Sequence, residues 1–245
     1  MSTAPEFLFP DWPVPPSVHA AVTTRTGGAS SGPYASLNLA LHVGDDPDAV
    51  AENRRRVRAA LELPADPRWL TQVHGTTVAV PGRNEPASAD AAVAFEPRQV
   101  CAVLVADCLP VMLATRTGDR VGIAHAGWRG LAAGVIEATV AALATDPAGL
   151  VAWLGPAIGP TAFEVGGEVR DAFIASQPAA ARAFCPGRSG RFLADLPALA
   201  RMRLAACGVT GVHGGGECSY SDAARFYSYR RDGRTGRMAA LLWLA

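Results

Sequence analysis

The chain has 245 residues, 49% of them hydrophobic and 18% charged, enough to bury the core of one large domain. Its formal net charge is zero, with 22 basic against 22 acidic residues, which argues against an electrostatic grip on nucleic acid or an anionic membrane. Every basic residue is arginine; a Schiff-base lysine, a lysine base and a phosphate-loop lysine are thereby excluded, and an anionic substrate group must rest on arginine, backbone N–H or a metal.

Residues 1–16 form a proline-rich lead-in without the charged start and apolar run of a signal peptide. Residues 18–24 read as a strand, and 27–33 as a glycine- and serine-rich loop. Residues 48–63 read as a helix: Pro47 and Asp48 suit its start, Val50, Val57 and Leu61 recur at helical spacing, and Pro64 follows. An extended stretch is expected over 69–80 and a short strand over 89–94. Residues 100–105 are an apolar, β-branched strand running to Asp107-Cys108. Strands over 111–115 and 121–124 follow, the second ending at His125, with a turn at 117–119 between them. Residues 127–130 then turn into a helix over 131–143, and 151–154 form another strand. Farther on, 167–175 and 196–207 read as helices, and 209–213 and 226–230 as strands. Residues 238–244 fit either a strand or a buried helix. No apolar run approaches the length of a membrane span. The order of elements predicts an α/β fold of mixed sheets with flanking helices, in a single domain over 1–245.

The five cysteines, 101, 108, 185, 207 and 218, include no C-x-x-C pair, which points to a reducing, cytoplasmic setting. The chain has five histidines. Three chemically capable residues, His74, Cys108 and His125, each stand where an extended segment yields to a glycine or proline turn. Two imidazoles and a thiolate suit a catalytic metal with a fourth position left open, where bound water has its pKa lowered to about 7. The same residues also fit a Cys108–His125 nucleophile and base, or three unrelated core positions. Asp107 would orient the histidine or cap a turn. Gly28-Ala-Ser-Ser-Gly32 matches the nucleophile-elbow pattern, but Pro33-Tyr34 follows instead of a helix, so it reads as a loop. The arginine-rich stretch from Tyr227 to Arg237 reads as a solvated turn or as a phosphate clamp through Arg230 or Arg231. Arg129 and Arg25, each near a glycine turn, are comparable. His19, His42, His213 and the remaining cysteines read as structural.

These residues carry a resemblance. Thr23-Thr-Arg-Thr-Gly-Gly28, Gly32-Pro-Tyr-Ala-Ser-Leu-Asn-Leu39, His42-Val-Gly-Asp-Asp46, Gln72-Val-His-Gly75, Ala106-Asp-Cys-Leu-Pro110, His125-Ala-Gly-Trp-Arg-Gly130, Gly155-Pro-Ala-Ile-Gly159, Phe163-Glu-Val-Gly166 and Phe226-Tyr-Ser-Tyr-Arg-Arg231 follow one another in order. Together they resemble the laccase-domain, multicopper polyphenol oxidase-like family, whose members are now described as purine nucleoside phosphorylases or peptidoglycan editing factors. Two departures are Ala40 in place of a glycine and Cys218-Ser219 in place of Cys-Thr, and neither touches a proposed ligand.

The resemblance implies a four-layer α/β/β/α sandwich and His74, Cys108 and His125 as ligands of zinc, with copper an alternative. It implies phosphorolysis of adenosine, inosine and methylthioadenosine, with deamination of adenosine. Asp107 or Glu164 would move protons, and Arg25, Asn38, Arg129, Arg230 and Arg231 would line the substrate site. The partners are a small nucleoside and phosphate, with no nucleic acid and no membrane, and the chain is a monomer or homodimer. The alternatives are a Cys108/His125 hydrolase editing peptidoglycan precursors, a copper-binding polyphenol oxidase, or a non-catalytic binding protein. Five histidines are too few for several copper centres.

Overall fold

In a computed structural model the described residues are 4–82 and 88–245; residues 1–3 of the expected lead-in lie outside them. Two mixed sheets carry the architecture. The five-stranded sheet runs in the order Phe7–Leu8, Val18–Thr23, Met238–Leu244, Val100–Val105, Arg68–Trp69. Its pairs are antiparallel except the last, in which Arg68–Trp69 runs parallel to Val100–Val105. The six-stranded sheet runs Gly211–Gly214, Leu150–Leu154, Leu109–Thr115, Val121–Ala126, Ala91–Ala94, Val78–Ala79, with parallel pairs only at its two edges. Three short strands, Glu164–Val165, Phe192–Ala194 and Phe184–Pro186, form a separate small sheet.

Side chains alternate across each strand, and this alternation builds the layers. Met112 and Ala114 of one sheet meet Val103, Val105, Ala240 and Leu242 of the other in a common core. On the far side, Leu109, Val111 and Leu113 pack with Leu131, Ile136, Phe173 and Leu199 from the helices. Beyond the five-stranded sheet, Ala102, Leu104, Leu241 and Trp243 pack with Leu37 and Leu39 of a preceding loop and with Val57 of the Pro47–Ala60 helix. The result is helix, sheet, sheet, helices: the expected four-layer sandwich. Strands covered on both faces read as continuous apolar runs, which is why Val100–Val105 and Met238–Leu244 lack a polar face.

Several elements differ from expectation. The helix expected over 131–143 is two helices, Trp128–Ala133 and Val135–Ala142. Gly134, at φ 103°, closes the first with a left-handed residue whose N–H bonds to the Gly130 carbonyl. The strand expected over 226–230 is a buried turn leading into a short helix, Tyr229–Asp232. Ser228 caps that helix by accepting from the Arg231 N–H at 3.2 Å, and Phe226 and Tyr227, fully buried, anchor the turn in the core. The extended stretch expected over 69–80 shrinks to Arg68–Trp69 and Val78–Ala79, with a loop between them. His125 lies inside the Val121–Ala126 strand rather than at its end, and Cys108 directly precedes Leu109–Thr115. The lead-in contributes an edge strand, Phe7–Leu8, paired to Val18–Thr23. Among the described residues, no helix is long and apolar enough to cross a membrane.

Gly134→Ala tests the helix break. An added methyl would meet nothing nearer than 3.5 Å, so the cost lies in the backbone angle alone. It should lower unfolding stability by about 1–2 kcal/mol. An unchanged urea midpoint would contradict this.

Candidate metal centre

The two chain links that carry His74 and Cys108 both cross from one sheet to the other. Residues 106–108 leave Val100–Val105 in the five-stranded sheet and enter Leu109–Thr115 in the six-stranded sheet. Asp107 turns this corner at φ 94°. Its carboxylate accepts from the Ser219 hydroxyl and the Arg230 N–H, each at 2.7 Å, and its carbonyl accepts from the Ile158 N–H at 2.9 Å. The loop bearing His74 crosses between two edge strands, from Arg68–Trp69 of the five-stranded sheet to Val78–Ala79 of the six-stranded sheet. Gln72 ties it to the five-stranded sheet, donating to the Leu104 carbonyl at 2.9 Å and accepting from the Leu104 N–H at 2.7 Å. His74 itself adopts φ 61°, a left-handed backbone uncommon for a side-chain-bearing residue. His125, 4% exposed, faces Pro110 across the strand pair.

One residue that the sequence reading passed over binds these pieces together. Asp90 is fully buried. Its carboxylate accepts from the backbone N–H groups of Val73, His74 and Gly75 at 3.1, 2.9 and 2.7 Å and from His125 Nδ1 at 2.9 Å. Its own carbonyl accepts from the His125 N–H at 2.7 Å. Burial pushes the Asp90 carboxyl up, but the donors from His125, Gly75 and Val73 outweigh it and hold the group below the usual carboxylate range. The orientation role expected of Asp107 therefore falls to Asp90. With Nδ1 engaged, His125 has Nε2 left for a ligand, the outer support common to metal-binding histidines.

His74, Cys108 and His125 converge, their candidate ligand atoms lying within 4.8 Å of one another. Cys108 Sγ is 3.8 Å from His74 Nε2. Tetrahedral bonds of about 2.0–2.1 Å to nitrogen and 2.3 Å to sulfur would place such atoms about 3.6 Å apart, so the donor set fits one ion with a free position. Burial alone would raise the Cys108 thiol, but the adjacent His125 and His74 hold it down to about 6. Burial opposes charge on His125 as well, yet the Cys108 thiolate and Asp90 raise its pKa. Gly127 leaves the space this cluster occupies: a Cβ there would stand 2.8 Å from the His74 ring and 2.9 Å from Cys108 Sγ. Gly130, one helical turn on, lets the Trp128–Ala133 helix approach the Gly75 carbonyl, which a Cβ would meet at 2.9 Å.

The group opens into a cavity of about 770 Å³. Trp128, Phe163 and Tyr229 give it aromatic walls, and Arg129, Arg230 and Glu164 also line it. Other residues expected at the substrate site lie behind the wall. Arg25 donates to the Ala35 and Ala223 carbonyls and stacks on Tyr227. Arg231 donates to the carbonyls of Ser219, Tyr220 and Phe226 and pairs with Asp232. Asn38 is fully buried, with its amide spent on Ala40, Asp45 and the Arg237 backbone. His42, read as structural, does line the cavity, as does Arg237.

A family model described as multi-copper polyphenol oxidoreductase laccase matches residues 19–245. The chain belongs to this laccase family. It is 58% identical to a purine nucleoside phosphorylase of Pseudomonas aeruginosa, across 97% of this chain and 98% of that protein. It is 52% identical to purine nucleoside phosphorylase YfiH of Escherichia coli, across 98% and 99%. The crystal structure of a Neisseria meningitidis protein superposes with a TM-score of 0.92 at 51% identity, covering 97% of this chain and 98% of that one. Among the described residues of this laccase-family chain, His74, Cys108 and His125 form a group able to hold a metal ion.

Asp90→Asn keeps the shape but turns an NH₂ toward N–H donors. It should weaken metal binding by about 10- to 100-fold, measured by competition with a chromophoric chelator. Wild-type affinity would remove Asp90 from the support of the site.

Proposed function

We propose that this protein is a zinc-dependent purine nucleoside phosphorylase. It would act on adenosine, inosine and methylthioadenosine, with adenosine deamination as a second activity. The observation that carries the reading is the convergence of two imidazoles and a thiol beside an arginine-bearing cavity, in a chain whose full-length relatives are named purine nucleoside phosphorylases. His74, Cys108 and His125 would hold the ion. When bound, zinc supplies positive charge and lowers the pKa of a water at its open position.

The chain's own residues divide the remaining work. In phosphorolysis a phosphate oxygen bonds to the sugar carbon as that carbon's bond to the purine nitrogen breaks, and the departing base takes up a proton. Trp128, Phe163 and Tyr229 offer faces for the base, and the cavity arginines neutralise the entering phosphate. In deamination a water adds to the adenine carbon and ammonia leaves. Both reactions need a proton carrier. We assign it to Glu164, which lines the cavity, over Asp107, whose carboxylate oxygens serve Ser219 and the Arg230 N–H. Asp107 would then act by fixing the corner beside Cys108. We place the protein in the cytoplasm, as a single-domain monomer or homodimer, in keeping with its free cysteines.

A second reading has its own observation. Asp90, His125 and Cys108 form an orienter, base and nucleophile series, with the thiol held down to about 6. That series would suit a thiol hydrolase acting on peptidoglycan precursors. A polyphenol oxidase is disfavoured, because several copper centres need more imidazoles than five histidines can give.

Elemental analysis of the purified protein, paired with chromatography of adenosine and phosphate reactions, separates these readings. The metal reading expects one zinc per chain and loss of both metal and turnover in His74→Ala, Cys108→Ala and His125→Ala, with the fold kept. Chelation should abolish turnover. A Cys108→Ala protein working at the wild-type rate would end the assignment. Activity that survives chelation but not iodoacetamide would favour the thiol hydrolase.

A further inference from the structure

Among the described residues, four arginines line the cavity: Arg129, Arg191, Arg230 and Arg237. They differ in what their guanidinium groups already hold. Arg230 donates to the Glu164 carbonyl at 2.9 Å and to the Ala162 carbonyl at 3.4 Å, and it lies 5.4 Å from the Phe163 ring centre. It braces the wall formed by the small sheet. Arg191 has a side chain 59% exposed and stands 3.9 Å from the Glu164 carboxylate. Arg129 is exposed, its guanidinium 4.5 Å from the ring of neighbouring Trp128.

Arg237 is different. Its Nη1 donates to the Thr235 and Gly236 carbonyls at 2.9 and 3.0 Å. Nε and Nη2 have no hydrogen-bond partner among the described residues, and no carboxylate pairs with the group there. Those two nitrogens form the edge that grips an oxyanion through two parallel bonds. The group is half-buried, and burial works against its charge while Cys108 and Asp107 favour it, so it sits within electrostatic reach of the metal ligands. A half-buried cation without a counter-charge costs stability unless an anion arrives.

Its position is also fixed. The Arg237 N–H donates to the Asn38 side-chain oxygen at 2.9 Å, and its carbonyl accepts from the Leu39 N–H at 3.2 Å. The next residue opens the central strand, Met238–Leu244. His42 shares the cavity, and burial, Arg237 and Arg54 all lower its pKa, which favours its neutral form beside Arg237.

The geometry points to Arg237 as the residue that grips the phosphate nucleophile, with its Nε and Nη2 edge forming an oxyanion subsite in the cavity wall. The inference deepens the phosphorolysis reading and rests on it. Asn38 and Leu39 hold the backbone of residue 237, so side-chain changes keep those two bonds but remove the Nη1 bonds to the Thr235 and Gly236 carbonyls; Arg230→Met, which also strips bonds from carbonyls, is the control for that loss.

Holoenzyme carrying Arg237→Met should show a phosphate KM raised about 10- to 100-fold, the loss expected of charge-assisted hydrogen bonds. The nucleoside KM should move far less. Arg237→Lys keeps the charge but loses the fork, and should still raise the phosphate KM several-fold. Arg230→Met, whose donors serve carbonyls, should raise it less than Arg237→Met does. A Lys variant matching wild type, or a larger effect at Arg230, would overturn the assignment. Calorimetric titration of inorganic phosphate into holoenzyme without nucleoside gives a second readout. Wild-type binding lost in Arg237→Met supports the subsite; equal heats, or no wild-type binding, refute it. If the wild type splits no nucleoside with phosphate, the phosphorolysis reading falls, while the titration still decides whether Arg237 binds the anion.

Discussion

The site depends on one buried carboxylate. Asp90 meets the three consecutive N–H groups of residues 73–75 and the ring of His125, so a single side chain sets the loop of one ligand and the ring orientation of another. A carboxylate without water is costly, and four donors are what make its burial tolerable. The same contacts explain why His74 can hold a left-handed backbone: the cost of that conformation is offset by hydrogen bonds that exist only when the loop is folded this way. Asp107 plays a matching part at the second crossing, where its carboxylate fastens the corner before Cys108 to the segments bearing Ser219 and Arg230.

The architecture follows from the same economy of polar groups. Both sheets are apolar on two faces, so nearly all chemistry is pushed to the links where the chain passes from one sheet to the other. The cavity lies at that margin, between the crossing links, the start of the Trp128–Ala133 helix and the small sheet. Two positions without a Cβ, Gly127 and Gly130, let helix and loop close around the three ligands. This explains why the glycines of His125-Ala-Gly-Trp-Arg-Gly130 belong to the site as much as the histidine does.

Long apolar strands and the Pro47–Ala60 helix were legible from composition and period, because burial on both faces and a proline start leave local marks. The break at Gly134 was not, since a lone glycine in a helical pattern does not announce its backbone angle. Residues 226–230 misled because aromatic side chains anchor turns as readily as strands. The same limit holds at the site. His74, Cys108 and His125 stood out as chemically capable residues next to turns. Asp90 did not: it sits among alanines in Ser88-Ala-Asp-Ala91, and only the fold brings it to His125 and His74. The arginine-rich segment near the C-terminus read either as a solvated turn or as an anion clamp through Arg230 or Arg231, because which guanidinium lines the cavity is set by the turn around Ser228 and by Asn38, nearly two hundred residues earlier.

The place of Met238–Leu244 in the middle of the five-stranded sheet has a consequence for the order of assembly. Its two neighbours, Val18–Thr23 and Val100–Val105, are synthesised long before it. Until that last strand is inserted, both earlier strands present bare backbone edges and apolar faces, the surfaces through which nascent chains stick to one another. Arg237 in the cavity wall directly precedes this strand, so that side of the pocket takes shape only when the strand is seated between its two neighbours.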